Sequence, residues 1–311
     1  MSIFKVCFIG VGSIARRHIR NLTDICNKRG IKVVIDVFRI CNYDDNPLGV
    51  NCVYNDINEV PDDYDSIFIT NPTSIHLDTL EKFSCKGRNF FIEKPVVSFE
   101  QIERARTFKV EKEKKYYVAC PLRYNSVIRW IKENIDINDV ISIRSISSSY
   151  LPEWRPKQDY RLTYSAKKNM GGGVSVDLIH EWDYISYIFG WPVKLYYLVG
   201  KKSELEIDSD DYAIYIAEYS NMTVELHLDY YGRKTIRQIQ LFTKDDTIVG
   251  DISNNTIFWL VSGRELSFAE ERDDYQKREL IHFLDIILGV APNDSSFEHG
   301  LKVLELTKGI L

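Results

Sequence analysis

Short apolar runs alternate with amphipathic stretches through the first 120 residues. "FKVCFIG", "KVVIDVFRI", "DSIFITNP", "RNFFIEKP" and "KYYVACPLRY" are apolar over lengths suited to buried strands. Between them, "SIARRHIRNLTDICNKRG", "SIHLDTLEKFSCKG" and "SFEQIERARTFKVEKE" carry the apolar spacing of helices. Gly30 and Gly87 stand where the first two helices would close. Buried strands alternating with helices predict βαβ units and a doubly wound parallel sheet over residues 1–120.

After that the pattern changes. "DVISIRSISSSYL", "VKLYYLVGKKSE", "DYAIYIAEYS", "MTVELHLDYYG", "TIRQIQLFTKDD" and "NTIFWLVSG" read as successive strands, with turn chemistry in "SNM", "YGR" and "SNN". This predicts a meander-like sheet, and helical spacing is expected at 126–134, 174–189, 271–289 and 297–309. The expected fold class is α/β, with a second, α+β domain over 121–311 built on a large, mostly antiparallel open sheet.

Composition narrows the function classes. A chain of 311 residues, 44% hydrophobic and 27% charged, suits two globular domains rather than a disordered chain. A net charge of −5 argues against a nucleic-acid partner. No apolar run approaches the roughly 18 residues of a membrane helix, and "MSIFKVCFIG" reads as a first strand rather than a signal peptide. All six cysteines (Cys7, Cys26, Cys41, Cys52, Cys85, Cys120) fall in the first 120 residues without C-x-x-C spacing, so reduced thiols in a cytoplasmic protein are expected. The six histidines show no metal-ligand spacing with cysteines or acids, so no metal is expected.

"GVGSIA" joins the first strand to the first helix. Gly10 allows the tight turn, Gly12 lets the backbone approach a pyrophosphate, and Ala15 permits close helix–strand packing. Gly10, Gly12, Ser13 and Ile14 are therefore candidate dinucleotide contacts at a helix N-terminus. At the end of the second strand, where NAD sites usually present an acid, the sequence has Arg39, while Asp36 comes earlier among apolar neighbours. An arginine there suits a 2′-phosphate, so NADP is favoured over NAD; Arg39 stacking on adenine or facing solvent is the alternative. Glu93, Lys94 and Pro95 end a strand of the same sheet, where a lysine can reach the reacting end of a cofactor.

"GGGVSVDLIHEWDY" (171–184) runs a glycine turn into a helix. At about 100° per residue, Asp177, His180, Glu181 and Tyr184 share one face, which suggests the wall of a site. A capped helix start with a buried core histidine is the other reading. The preceding stretch, with Arg155, Lys157, Arg161, Lys167 and Lys168 among Trp154, Tyr160 and Tyr164, is either a solvated basic loop or a clamp for an anionic sugar.

"GVGSIARRH", "ITNPTSIH", "FFIEKP", "RYN", the "GGG…D…H" segment and "SSFEHGLKVLEL" together resemble the Gfo/Idh/MocA oxidoreductases from end to end. The resemblance implies a Rossmann domain, a substrate domain on an open sheet, and hydride transfer between a nicotinamide and a sugar or cyclitol carbon. It makes Lys94 the proton-transfer group, with hydrogen bonding to a substrate hydroxyl as the alternative. A cationic nicotinamide disfavours a second positive charge nearby, which favours a neutral amine. It also brings Asn71 and His76 to the cofactor, and Asp177 and His180 to catalysis. That family usually sets its acid and histidine four residues apart; here they are three apart, so Glu181 competes with His180 for one position. Arg123 and Tyr124, where the chain crosses between domains, join Trp154, Arg155, Arg161, Tyr164, Glu181 and Tyr184 as substrate candidates.

The "WRP…DYR…YSA…GGG" arrangement resembles a branch tied to surface-polysaccharide and nonulosonate sugars, which implies an anionic or nucleotide-linked sugar as substrate. A homodimer or homotetramer through the second sheet is expected, since open sheets commonly pair. The competing class is a cofactor-binding sensor on the same scaffold. Retention of Lys94, Asp177 and His180 favours the enzyme.

Overall fold

The computed structural model describes residues 3–40 and 49–311; Cys41 lies outside them. The chain divides into two compact units, Met1–Ala119 with Gln276–Leu301, and Cys120–Tyr275 with Lys302–Leu311. The apolar pattern assigns residues 276–301 to the second domain, but the chain returns there to the first unit.

The first unit holds six parallel strands: β1 (Ile3–Ile9), β2 (Lys32–Phe38), β3 (Val50–Tyr54), β4 (Ser66–Ile69), β5 (Asn89–Ile92) and β6 (Lys115–Val118). Helices α1 (Ser13–Lys28), α2 (His76–Phe83) and α3 (Ile102–Ala105) connect them. The order β3-β2-β1-β4-β5-β6 reverses between β1 and β4, and ligands of such sheets bind at the carboxyl ends beside the reversal. Phe68 stacks between Phe8 at 4.4 Å and Phe91 at 4.9 Å in ring-centroid distance, and Phe283 sets its edge against Phe68 and Phe91. Ala15 is fully buried in this core, as the close packing of α1 on the sheet demands.

Three local expectations change here. β3 escapes the apolar pattern because none of its residues is fully buried. The helix read over 98–113 shrinks to a 3-10 turn, Phe99–Gln101, and the four residues of α3. Gly87 does not close α2, which ends at Phe83; a Cβ on Gly87 would stand 2.5 Å from Ile67 Cγ1, so its role is close packing on β4.

The second unit begins with α4 (Ser126–Asn134) and β7 (Val140–Tyr150), then α5 (Val174–Asp177) and α6 (His180–Phe189). β8 (Lys194–Gly200), β9 (Tyr212–Glu218), β10 (Thr223–Asp229), β11 (Tyr231–Thr243), β12 (Thr247–Asp251), β13 (Thr256–Trp259) and β14 (Glu265–Ser267) complete an eight-stranded sheet. The last helices, α7 (Asp274–Ile287) and α8 (Phe297–Leu306), each pass from one unit into the other along their length.

The order is β14-β13-β12-β11-β7-β10-β9-β8, antiparallel throughout except between β7 and β10. A simple meander would pair β10 with β11; instead β7 lies between them. "YGR" is accordingly not a turn but the start of β11. The reversal is made just before it, where buried Asp229 accepts from Tyr231 N, Gly232 N and Ser148 Oγ. One face of the sheet is covered, with Trp182 of α6 edge-on to Tyr215 at 5.4 Å. The other presents exposed Tyr196 and Ile216, opposite one another on β8 and β9.

Candidate functional site

Each glycine of the dinucleotide loop has its own reason. Gly10 has φ +86°, and a Cβ on it would lie 2.9 Å from Asn71 Cα, so the loops after β1 and β4 touch through it. Gly12 is extended, and a Cβ there would meet nothing within 4 Å. It caps α1 without a side-chain hydrogen bond, and the first turn, with Ser13 and Ile14, carries no acid. An uncapped N-terminus beside open space fits a pyrophosphate. Asn71 adds a second fitting feature: its Nδ2 donates to Thr79 at 2.7 Å, while its buried Oδ1 has no hydrogen bond among the described residues.

At the end of β2, Asp36 is a structural carboxylate. It is buried and accepts from Tyr64 Oη at 2.7 Å, Asn51 Nδ2 at 2.9 Å and Cys52 N at 3.1 Å. Arg39 follows β2 directly, is largely buried, and donates its backbone N–H to Tyr54 O.

Glu93, Lys94 and Pro95 leave the carboxyl end of β5, with the Lys94–Pro95 peptide cis. His18, buried on α1, donates from Nε2 to Glu93 Oε1 at 2.6 Å. Burial alone would raise the Glu93 pKa, but the hydrogen bond and charge of His18, with the charge of Lys94, hold it below its ordinary value. His76 is turned inward: Nδ1 lies 3.1 Å from Pro95 O and Nε2 2.9 Å from Asn71 O. With both ring nitrogens on protein carbonyls, His76 is not the direct cofactor contact expected of it. Burial lowers its pKa, against the pull of the Asn71 carbonyl and Glu93.

In the second unit the glycine turn is shaped by protein contacts. A Cβ on Gly172 would strike the Tyr164 carbonyl oxygen, and one on Gly173, at φ +138°, would strike Asp210 Oδ1. Asp210 in turn accepts from Ser175 N at 2.9 Å and, through its carbonyl, from Val174 N at 3.0 Å, capping α5. The single helix expected over 174–189 is two, broken at Leu178 and Ile179, so Asp177 and His180 belong to different helices.

That break takes Asp177 off the helix that carries His180, Glu181 and Tyr184. Asp177 is buried and accepts from Tyr230 Oη at 2.6 Å and from Tyr164. His180 opens α6 and is partly exposed. Glu181 is fully buried and bound by Arg237 Nε at 2.6 Å; Tyr184 is fully buried with its hydroxyl 2.9 Å from Ser145 Oγ. Neither reaches outward as a substrate contact. Arg123 is likewise withdrawn from the substrate set: it grips Asp183 with two bonds of 2.8 and 2.5 Å under the Tyr187 ring, and both partners are buried.

The basic loop is partly neutralised. Arg161 pairs with Asp159 at 2.7 Å and Glu206 at 3.2 Å. Arg155 lies over the Tyr164 ring at 5.5 Å, and Trp154 donates to Ser149 Oγ while its ring meets Tyr230 edge-on. Tyr124 is partly buried. Tyr230 and Arg237 are the residues the sequence reading missed. Both sit on strand ends or faces with ordinary alternation, and their partners lie 53 and 56 residues away. Among the described residues no cluster of three or more His, Cys, Asp or Glu could hold a metal, the cysteines are free thiols, and no helix is long and apolar enough to cross a membrane.

A doubly wound sheet with an open glycine loop after β1 is the architecture of a dinucleotide-binding domain, and here it is followed by a unit built on an open sheet. Residues 4–120 match the family model GFO_IDH_MocA, described as an oxidoreductase family with an NAD-binding Rossmann fold. Over those residues the chain is similar to the Gfo/Idh/MocA oxidoreductases. An uncharacterized oxidoreductase, YrbE, of Bacillus subtilis (strain 168) is 25% identical over 306 residues, covering 90% of this chain and 85% of the relative. The fold is shared with UDP-N-acetylglucosamine 3-dehydrogenase GnnA from Acidithiobacillus ferrooxidans (TM-score 0.76, 18% identity, 100% and 97% covered). It is shared too with a levoglucosan dehydrogenase in complex with NADH (TM-score 0.79, 16% identity, 99% and 96% covered).

Proposed function

We propose that this chain moves a hydride between a nicotinamide and a sugar carbon, with Lys94 as the proton-transfer group. The observation that carries this reading is the Glu93-Lys94-Pro95 segment at the end of β5, two strands from the open Gly10–Gly12 loop. A bound nicotinamide supplies the hydride acceptor or donor. Lys94 takes the hydroxyl proton as the carbon is oxidised, or returns it on reduction. From the second unit, His180 and Asp177 are the companion catalytic groups. His180 is preferred to Glu181 because Arg237 holds the Glu181 carboxylate.

For the cofactor, Arg39 after β2 and the inward engagement of Asp36 support NADP over NAD. The sugar is proposed to be anionic or nucleotide-linked, of the kind used in surface-polysaccharide synthesis. Arg155, Lys157, Lys167 and Lys168 support this, as does a structural relative named for a UDP-sugar. Arg161 contributes less, being paired already. Exposed Tyr196 and Ile216 support a homo-oligomer through the open sheet, and reduced thiols a cytoplasmic setting.

Fluorescence titration with NADPH and NADH, followed by a nucleotide-sugar panel read at the nicotinamide absorbance, tests the reading. Lys94→Ala is expected to abolish turnover and keep cofactor binding. Arg39→Asp is expected to move preference towards NADH. Tight cofactor binding with no turnover on any sugar would favour the sensor.

A further inference from the structure

We infer that His76 is a positioning residue for Lys94, an inference that rests on the proton-transfer reading of that lysine. The imidazole is 1% exposed and lies between two carbonyl oxygens, Asn71's at 2.9 Å and Pro95's at 3.1 Å. The neutral ring donates to one of them and packs against the other, so it sits between the loop after β4 and the loop after β5, at the sheet end beside the strand reversal.

Lys94 sits between two anchored neighbours. Glu93 is held by His18 from α1, and Pro95 by His76 from α2. Asn71, the other partner of His76, abuts Gly10 of the dinucleotide loop. One ring therefore links the lysine segment to the loop proposed to carry the cofactor. Proton transfer depends on placement to a fraction of an ångström, so a backbone anchor one residue from the amine's own residue has direct leverage on rate.

The two arms of the ring can be separated. A carbonyl oxygen only accepts, and a ring kept neutral by burial has one N–H, so one arm at a time is a hydrogen bond. In the positioning role that arm is the Pro95 one, at Nδ1. His76→Asn sets an amide near the Nδ1 position and keeps the Pro95 arm. His76→Gln sets one near the Nε2 position and keeps only the Asn71 arm.

The test compares the full chain with both variants by acetylation of Lys94, read by mass spectrometry against the chain's other lysines without added cofactor. Melting temperatures are recorded in parallel. The expected result is a wild-type Lys94 rate in His76→Asn and a rate changed about tenfold in His76→Gln, with other lysines unmoved. In turnover, His76→Gln is expected to lower kcat by about 10- to 100-fold with the KM for NADPH little changed. Wild-type Lys94 labelling and kcat in His76→Gln would overturn the proposal. So would equal losses in both variants that follow their melting temperatures. A wild-type chain that binds neither NADPH nor NADH removes the proton-transfer reading instead, and the labelling comparison still decides whether His76 positions Lys94.

Discussion

Tyr230 donates its hydroxyl hydrogen to Asp177 Oδ2 at 2.6 Å, and both side chains are buried in the second unit. The bond fixes which carboxylate oxygen of Asp177 remains for other partners. Hydrogen bonds to charged groups contribute about 1.5–3 kcal/mol. Tyr230→Phe is expected to lower stability by about that amount, seen as a lower urea midpoint with unchanged slope. An unchanged midpoint would mean that the Tyr164 hydroxyl alone satisfies the acid.

Arg123 and Arg161 are predicted to part company. Removing one member of a buried ion pair leaves an uncompensated charge, at a cost of about 3–5 kcal/mol. Arg123→Met should therefore destabilise the chain strongly by stranding Asp183. Arg161→Met, on the exposed loop, should leave the denaturation midpoint where it was. Similar effects for the two would contradict the burial assigned to Arg123.

Acidification should expose the role of Glu93. Its pKa in the folded chain lies below the ordinary 4.5, so its carboxylate contributes stability above that value, and the contribution is lost as pH falls through the folded value. Denaturant midpoints for the wild type and Glu93→Gln between pH 7 and pH 3 check this. The wild type should lead at pH 7, and the gap should close below about pH 4.5. A gap that widens on acidification would reverse the assignment.

The two loop glycines should respond oppositely to alanine. Gly10→Ala meets both a left-handed φ and the Asn71 backbone, so the melting temperature should fall. Gly12→Ala adds a methyl to open space, so stability should hold while the affinity for NADPH and NADH drops. Undiminished affinity in Gly12→Ala would mean that no pyrophosphate lies against that residue.

Local signals in the sequence carried much of this architecture. Parallel strands buried on both faces are short apolar runs, and the turn before α1 needs glycine for reasons confined to a few residues. What escaped reading was decided at long range. β7 separates β10 from β11 through pairings that no neighbouring residue announces. Glu181 and Asp183 are acids on different sides of one helix, yet each is buried because an arginine 56 or 60 residues away meets it. The break at Leu178 and Ile179 also carries no glycine or proline to mark it. His76 misleads for a related reason: the resemblance brings it to the cofactor, while its ring nitrogens meet carbonyls 19 and 5 positions off.

The return of residues 276–301 to the first unit has a consequence for synthesis. Leu280, Phe283, Leu284 and Ile286 complete the core formed with Phe8, Phe68 and Phe91, and Ser295 accepts from Val118 N and donates to its carbonyl oxygen on edge strand β6. A ribosome extends the chain by about 5–20 residues per second. The nucleotide-binding half, made by residue 119, thus waits many seconds with an aromatic face bare until residues 276–301 arrive. Its folding is finished by a segment made after the whole of the second sheet.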